Sequence, residues 1–278
     1  MTLKDVLDKT TLFFKNKNLP SPRLDAELLL SDALNISRME IYLKFDAPLK
    51  EQELEKCREH VRRRSGGEPV AYILGYKGFY GHDFFVEPGV LIPRPETEFI
   101  VDEIKNKLNK DDALNIIDLG CGSGCIGLSL KKIFHRAQVE MVDVSEAAVR
   151  LSEKNAKNLN AEVHILHKDV EKLELQTEHY DLVVSNPPYI AKDDKDVSEH
   201  VKEYEPHEAL FAEEDGYYFL NSWAEKAFHA LKPGGYLCME MGYNQAKELK
   251  TKLSDLGYKN IEVIKDLASF DRVILAQK

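Results

Sequence analysis

The chain has 278 residues, 43% of them hydrophobic and 31% charged, which is typical of a globular protein with a substantial buried core. Its 48 acidic and 38 basic residues give a formal net charge of −10, and this acidity disfavours a protein that binds mainly to nucleic acid phosphates. The chain has no apolar run that could cross a bilayer, no signal-peptide pattern at its charged start and only four scattered cysteines, so we expect a cytoplasmic protein without membrane contact.

Residues 1–75 predict a small helical domain. Residues 37–40 (SRME) form a capping box ahead of a short apolar stretch. Residues 50–64 place apolar side chains on one face of a charged helix, which is expected to end at Gly66 and Gly67.

Residues 76–95 predict a connector to a second domain. Aromatic side chains around Gly78 and Gly81 indicate a hairpin or an extended segment. Pro93 and Pro95 then exclude regular structure until a helix begins near Thr97.

Residues 96–278 predict an α/β domain with a mostly parallel sheet. Apolar segments of strand length alternate with segments of helix length, which is typical of parallel strands covered by helices on both faces. The predicted strands are residues 114–118, 139–143, 163–166, 182–185 and 236–241, with two late strands near 261–264 and 273–276.

One long stretch of this domain is strongly charged. Residues 190–215 contain ten acidic residues and three lysines, a net charge of −7. The sequence leaves two interpretations open: a solvated loop, or a lid beside the active site that prefers a basic partner.

A glycine-rich turn, Gly120-Cys121-Gly122-Ser123-Gly124, lies between the first predicted strand of this domain and a helix. Such glycines let the backbone approach a ligand and present amide groups near a helix N-terminus. Residues 122–127 also match the dinucleotide pattern G-x-G-x-x-G, and Asp143 stands where a ribose-binding acid is expected. Asp118 ahead of the glycines and the sequence LKPGG at 231–235 favour a methyl donor over a nicotinamide nucleotide, because both resemble class I methyltransferases.

The second chemical motif, Asn186-Pro187-Pro188-Tyr189, follows directly after the strand predicted at 182–185. Open α/β sheets bind ligands at the carboxyl ends of their strands. A planar amide or amine is a weak nucleophile, because its lone pair is delocalised, and it needs acceptors that hold its N–H groups. Asn186 offers a side-chain oxygen, Pro187 a carbonyl on a stiffened chain, and Tyr189 a flat face for stacking. The motif therefore predicts methylation of a planar nitrogen.

Two further patterns are weak indications of a metal. His164 and His167 would point to opposite faces of a strand. Cys121 and Cys125 have no further ligands at zinc spacing and are interpreted as small packing residues. We therefore predict no metal site.

Taken together, these segments resemble one family, the HemK/PrmC protein-(glutamine-N5) methyltransferases that act on peptide chain release factors. The similarity runs over essentially the whole chain and includes the helical domain, the connector, the glycine loop and residues 203–210. The Asn-Pro-Pro-Tyr motif is shared with DNA adenine methyltransferases, whereas the Arg-Pro-Glu-Thr sequence at 94–97 is not. The chain departs from the family at Ala268-Ser269-Phe270, where a glycine is expected.

The resemblance implies a class I S-adenosylmethionine-dependent methyltransferase fold, Rossmann-like with a mostly parallel seven-stranded sheet, behind a helical domain at 1–75 that recognises the protein substrate. It implies the cofactor S-adenosyl-L-methionine, the product S-adenosyl-L-homocysteine, and cofactor contacts from Gly120, Cys121, Gly122, Ser123, Gly124, Asp143, Asp169, Val170 and Asn186. It also implies that the glutamine of a Gly-Gly-Gln motif is seated by Asn186, Pro187, Pro188 and Tyr189.

The implied reaction is an in-line displacement at the sulfonium methyl, run mainly by positioning. Asn186 and Pro187 would be the catalytic acceptors of the amide N–H groups, and no general base is predicted. The implied partners are bacterial class-1 release factors, without direct contact to nucleic acid.

Four alternatives stay open at this point. A sister branch methylates a glutamine of a ribosomal protein with the same four-residue motif, but its connector differs after the arginine. A DNA adenine-N6 methyltransferase would need a basic groove, and a nicotinamide dehydrogenase would leave residues 186–189 without a role. A non-enzymatic adaptor that only docks on a partner is the fourth.

Overall fold

The computed structural model describes residues 1–195 and 197–278, and these form two compact units, Met1–Tyr76 and Lys77–Lys278. None of the helices in the described ranges is long and apolar enough to cross a membrane.

The regular elements of the first unit are helices, apart from an isolated bridge between Thr2 and Pro48 and the last residue, which begins a strand. Its helices are α1 (Leu3–Asn16), α2 (Pro22–Leu34), α3 (Arg38–Leu43), α4 (Glu51–Ser65) and α5 (Val70–Leu74). The capping box predicted at 37–40 is present, since Ser37 and Glu40 bond each other's backbone N–H groups. Fully buried Leu7, Phe14 and Leu29 lie in its core.

The second unit contains the remaining helices, α6 (Glu98–Lys107), α7 (Cys125–Ile133), α8 (Glu146–Leu159), α9 (Glu199–Tyr204), α10 (Tyr218–Ala230) and α11 (Ala246–Leu256). The strands are β1 (Tyr76–Phe79), β2 (His82–Phe85), β3 (Asn115–Leu119), β4 (Gln138–Asp143), β5 (His164–His167), β6 (Tyr180–Ser185), β7 (Ile190–Ala191), β8 (Phe211–Ala212), β9 (Leu231–Glu240), β10 (Lys259–Lys265) and β11 (Asp271–Gln277).

A hairpin of β1 and β2 opens this unit. Its turn residues Tyr80 and Gly81 both have positive φ angles, 47° and 77°, which matches the right-handed twist of a two-residue hairpin.

The predicted sheet of seven strands, most of them parallel, is confirmed. Its order is β10-β11-β9-β6-β3-β4-β5, and β11 runs antiparallel to both of its neighbours. The strand predicted at 236–241 begins earlier, at Leu231. The pairing shifts between Tyr180–Leu231 and Leu182–Tyr236, so the turn-forming residues 232–235 bulge out of the ladder.

Apolar residues are nearly continuous in the central strands because both faces of the sheet are covered. Successive side chains of a strand point to opposite faces. Ile116 therefore packs in the core on one face and Ile117 in the core on the other, and both are fully buried. This packing fixes the register that aligns the carboxyl ends of β3, β4 and β6.

Candidate active site

The carboxyl ends of three neighbouring parallel strands form the floor of the candidate site. In register, Leu119 of β3 lies opposite both Ser185 of β6 and Val142 of β4. The glycine loop after β3, Asp143 at the end of β4 and Asn186 after β6 are thereby brought to one edge. A cavity of about 420 Å³ opens there, within the size range of small-molecule sites. We call it the first cavity.

The glycine loop needs its glycines. Gly120, Gly122 and Gly124 have φ angles of 71°, 54° and 80°, a region that other residues adopt at a cost. A Cβ atom on Gly120 would also lie 2.9 Å from the ring of Trp223. Gly120, Cys121, Gly122 and Ser123 line the first cavity. Gly124 does not, because it stands behind the loop as the N-cap of α7, against Leu128 and Met141.

Asp143 joins this loop to β4. Its Oδ2 accepts a hydrogen bond from the Gly122 N–H (2.8 Å) and its Oδ1 one from the Ser145 N–H (2.9 Å). Burial raises the pKa of the carboxyl, while these backbone donors act in the opposite direction. The side chain lines the first cavity, and each oxygen keeps a lone pair for further donors such as ribose hydroxyls.

The far end of the first cavity is formed by the segment after β5. Asp169 and Val170 line it, and Val170 is 4% exposed. Asp169 caps a single 3₁₀ turn by accepting from the Glu171 N–H (3.0 Å). The hydrogen bond from Lys172, 2.9 Å away, lowers its pKa.

Sequence reasoning missed a further wall of the first cavity, which comes from α10. Tyr218, Phe219 and Trp223 line the first cavity. Glu171 holds this helix in place, because its carboxylate accepts from Trp223 Nε1 (2.7 Å), the Ser222 hydroxyl (2.9 Å) and the Tyr218 hydroxyl (3.2 Å). The helical spacing of Phe219 and Trp223 indicates a shared face, but nothing in the sequence says that this face meets the cavity.

The residues of the Asn-Pro-Pro-Tyr motif divide between two cavities. Asn186 and Pro188 line the first. Pro187 and Tyr189 line a second cavity of about 380 Å³, and Asn186 lines that one too. Asn186 therefore stands where the two cavities adjoin, with Leu91 and Arg94 of the connector also lining both.

A buried polar network holds this motif. Asn186 Nδ2 donates to Thr97 Oγ1 (3.1 Å), and the Thr97 hydroxyl donates to Glu240 Oε2 (2.5 Å). The Tyr189 hydroxyl donates to Glu240 Oε1 (2.8 Å), and Gln245 Nε2 donates to the Tyr189 carbonyl (3.0 Å). Burial raises the pKa of both Glu240 and Tyr189. The Tyr189 ring also packs against the core on the helix α10 side of the sheet, so its position is fixed.

The acidic stretch 190–215 is ordered beside the second cavity over its described residues. Strands β7 and β8 pair with each other, and Ser198 and Val201 line the cavity. The stretch is fastened through Glu205, whose buried carboxylate accepts from Arg94 (2.6 Å) and from the Ile92 N–H (3.2 Å). Of the two interpretations, the structure favours the one that places this stretch beside the site.

The two cysteines near the loop are buried in the core and also line the first cavity. Cys121 and Cys125 are free and buried. Burial raises the pKa of the Cys125 thiol to about 12 and that of Cys121 well above its usual value, so both thiols are protonated at neutral pH.

Two family models match the chain. The model for the PrmC N-terminal domain matches residues 5–75, and the model for the methyltransferase small domain matches residues 95–204. Among solved structures, a methyltransferase from Pyrococcus furiosus covers 73% of this chain and 91% of its own at a TM-score of 0.54 and 20% identity. A Thermus thermophilus 16S rRNA N2 G1207 methyltransferase covers 73% and 49% at a TM-score of 0.54 and 19% identity. These two structures show the fold and no more.

Full-length relatives are more similar. The release factor glutamine methyltransferase of Koribacter versatilis is 37% identical over 279 residues, which cover 100% of this chain and 99% of the relative. That of Geobacter sulfurreducens is 39% identical over 274 residues, covering 98% and 95%. The resemblance noted in the sequence is thus confirmed over the whole length, and the chain belongs to the family of release factor glutamine methyltransferases.

Proposed function

We propose that this protein transfers the methyl group of S-adenosylmethionine to the side-chain amide nitrogen (N5) of the glutamine in the Gly-Gly-Gln motif of bacterial class-1 peptide chain release factors. The observation that carries this proposal is the position of Asn186 between two adjoining cavities. The first cavity has the features of a nucleoside site, and the second is open to a side chain from another protein.

The first cavity fits S-adenosylmethionine. Gly120 and Gly122 line it without side chains, and Asp143 keeps lone pairs for two ribose hydroxyls. Val170 and Phe219 offer apolar surface for adenine, with Asp169 beside them. When bound, S-adenosylmethionine supplies an activated methyl group on a positively charged sulfur.

The protein's own contribution is to hold the nucleophile. The Asn186 side-chain oxygen and the Pro187 carbonyl accept the two N–H groups of the glutamine amide and so orient its nitrogen lone pair. As the nitrogen gains positive charge, these oxygens stabilise it more strongly than they stabilise the neutral amide, and one N–H proton then leaves to water. Arg94 and Glu205 fasten the acidic stretch beside this point.

The test is the substitution Asn186→Ala. We expect it to abolish methyl transfer to a release factor while S-adenosylmethionine still binds, as measured by calorimetry. Asn158→Ala, at an exposed position of α8, is the matched control and should keep full turnover. Turnover by the Asn186→Ala variant would refute the assignment of the acceptor site.

The helical unit Met1–Tyr76 is proposed to bind the body of the release factor. Met39 and Leu43 of α3 leave 70% and 77% of their surface exposed, an apolar pair suited to a protein partner. We expect Leu43→Ser to raise KM for the intact factor while KM for a short Gly-Gly-Gln peptide stays unchanged. Leu12→Ser, an exposed leucine of α1, is the control. An equal rise in both KM values would contradict this role.

A further inference from the structure

Thr97 and Glu240 are far apart in sequence from Asn186, yet both lie behind its side chain. Thr97 and Glu240 are each 1% exposed, and Thr97 lines the first cavity while Glu240 lines the second. The chain of contacts runs from Asn186 Nδ2 to Thr97 Oγ1 (3.1 Å) and from there to Glu240 Oε2 (2.5 Å).

The direction of these hydrogen bonds follows from charge. A carboxylate only accepts, and Glu240 takes one donor from Thr97 and one from the Tyr189 hydroxyl (2.8 Å). Burial raises the pKa of Glu240, while the hydrogen bonds from Thr97 and Tyr189 and the positive charge of Arg272 oppose this shift by favouring the ionised form. Because the single Thr97 proton is used on Glu240, the Thr97 oxygen can only accept from Asn186. The asparagine therefore turns its NH₂ group toward Thr97.

The oxygen of Asn186 is left facing the opposite way. Within residues 1–195 and 197–278, the Asn186 side chain has its one hydrogen bond with Thr97, through Nδ2. Its Oδ1 is therefore available on the side of the two cavities that Asn186 lines.

We propose that Thr97 and Glu240 are positioning residues that fix the Asn186 amide with its oxygen toward the substrate, so that the site accepts an amide N–H and rejects a carboxylate. The inference rests on the proposed function and names a source of its selectivity. Asn186 Oδ1 and the Pro187 carbonyl then present two acceptors to the incoming group. A glutamine offers two N–H donors to them, whereas a glutamate offers only oxygens, and acceptor oxygens that face a carboxylate without a donor between them are strongly disfavoured.

The experiment compares Thr97→Val, which removes the hydroxyl at nearly constant volume, with Thr97→Ser, which keeps it. For Thr97→Val we expect about a tenfold loss of kcat, the effect of one hydrogen bond, with the Kd for S-adenosylmethionine changed less than about threefold. The preference for a Gly-Gly-Gln loop peptide over its Gly-Gly-Glu counterpart, measured as the ratio of binding constants, should fall by about tenfold as well.

Thr97→Ser should restore most of both losses. If Thr97→Val keeps the wild-type kcat and the wild-type preference, or if Thr97→Ser is as impaired as Thr97→Val, the hydroxyl does not position Asn186 and the proposal fails. Glu240→Gln is the second variant, for the case that Thr97→Val does not fold. It removes the charge that keeps Thr97 a donor, and it should lower kcat and the preference in the same direction.

A spectroscopic readout separates this proposal from the proposed function. The Asn186 side-chain NH₂ signals in ¹⁵N-labelled protein are identified by their loss in Asn186→Ala. In the wild type one of these protons should exchange slowly with water, and in Thr97→Val it should exchange faster. If wild-type protein does not methylate a release factor, the proposed function fails and this exchange test still decides the arrangement. Equal exchange in both proteins would overturn the arrangement itself.

Discussion

Replacing Asp118 with asparagine is expected to stabilise the protein, relative to the wild type, by an amount that grows as the pH rises from about 4 to 8. The Asp118 carboxyl lies at the end of β3 and is fully buried. Its Oδ2 accepts from the Gly127 N–H (2.9 Å), and its Oδ1 has no hydrogen-bond partner in the described part of the chain. Burial raises its pKa to about 7 from the usual 3.8.

The sign and the size of this stability difference follow from proton linkage. Because the folded pKa lies above the unfolded one, the folded protein binds more protons than the unfolded chain between these two pH values. The stability contribution of the protonated carboxyl is therefore complete only below about pH 4. The advantage is lost as the pH rises through 7. A shift of about three pKa units corresponds to about 4 kcal/mol of unfolding free energy. Asparagine keeps an acceptor for Gly127 and does not ionise, so the variant lacks this loss.

The assay is urea unfolding of both proteins without cofactor, at several pH values across this range. The difference in unfolding free energy between the two proteins should change by about 4 kcal/mol in favour of the variant, since the contributions of all other groups cancel. Asp112→Asn, at an exposed position, is the control for the removal of one carboxylate. A difference that stays constant with pH would refute a raised pKa at Asp118.

Two further predictions concern the cofactor and the last hairpin. Asp143→Ala should weaken S-adenosylmethionine binding by about 10–100-fold, since it removes a charged hydrogen-bond acceptor, and unchanged affinity by calorimetry would exclude Asp143 as the ribose anchor. Ser269→Gly should raise the unfolding free energy by about 0.5–1 kcal/mol, because Ser269 has a φ of 67°, a left-handed conformation that glycine adopts freely. This change in unfolding free energy is measured by thermal or urea unfolding. Ala268→Gly, the control, should by contrast destabilise the protein. Equal effects of the two substitutions would show that the conformation at Ser269 carries no strain.

Much of the fold could be predicted because its determinants are local. Alternating strand and helix segments give a parallel sheet, and parallel strands must end at one edge, so the glycine loop, Asp143 and Asn186 were expected together. The expected glycine near residue 269 also has a local cause, since the structure shows the positive φ of Ser269 that a glycine would relieve.

The parts of the site that the sequence does not predict depend on contacts between distant segments. Thr97 and Glu240 are separated by 143 residues, and Arg94 and Glu205 by 111, and no periodicity links either pair. No sequence pattern assigns Trp223 to the wall of the first cavity either. Composition alone left the acidic stretch undecided, because its placement beside the site depends on Glu205, the one buried acid among the described residues of the stretch.

The central claim is tested most directly by methyl transfer from labelled S-adenosylmethionine to a purified bacterial release factor, with the glutamine of its Gly-Gly-Gln motif intact or replaced by alanine. We predict label on the intact factor and none on the alanine form. A ribosomal protein and a DNA duplex serve as alternative acceptors in parallel reactions. Label on the alanine form, or on neither form of the factor, would contradict the account.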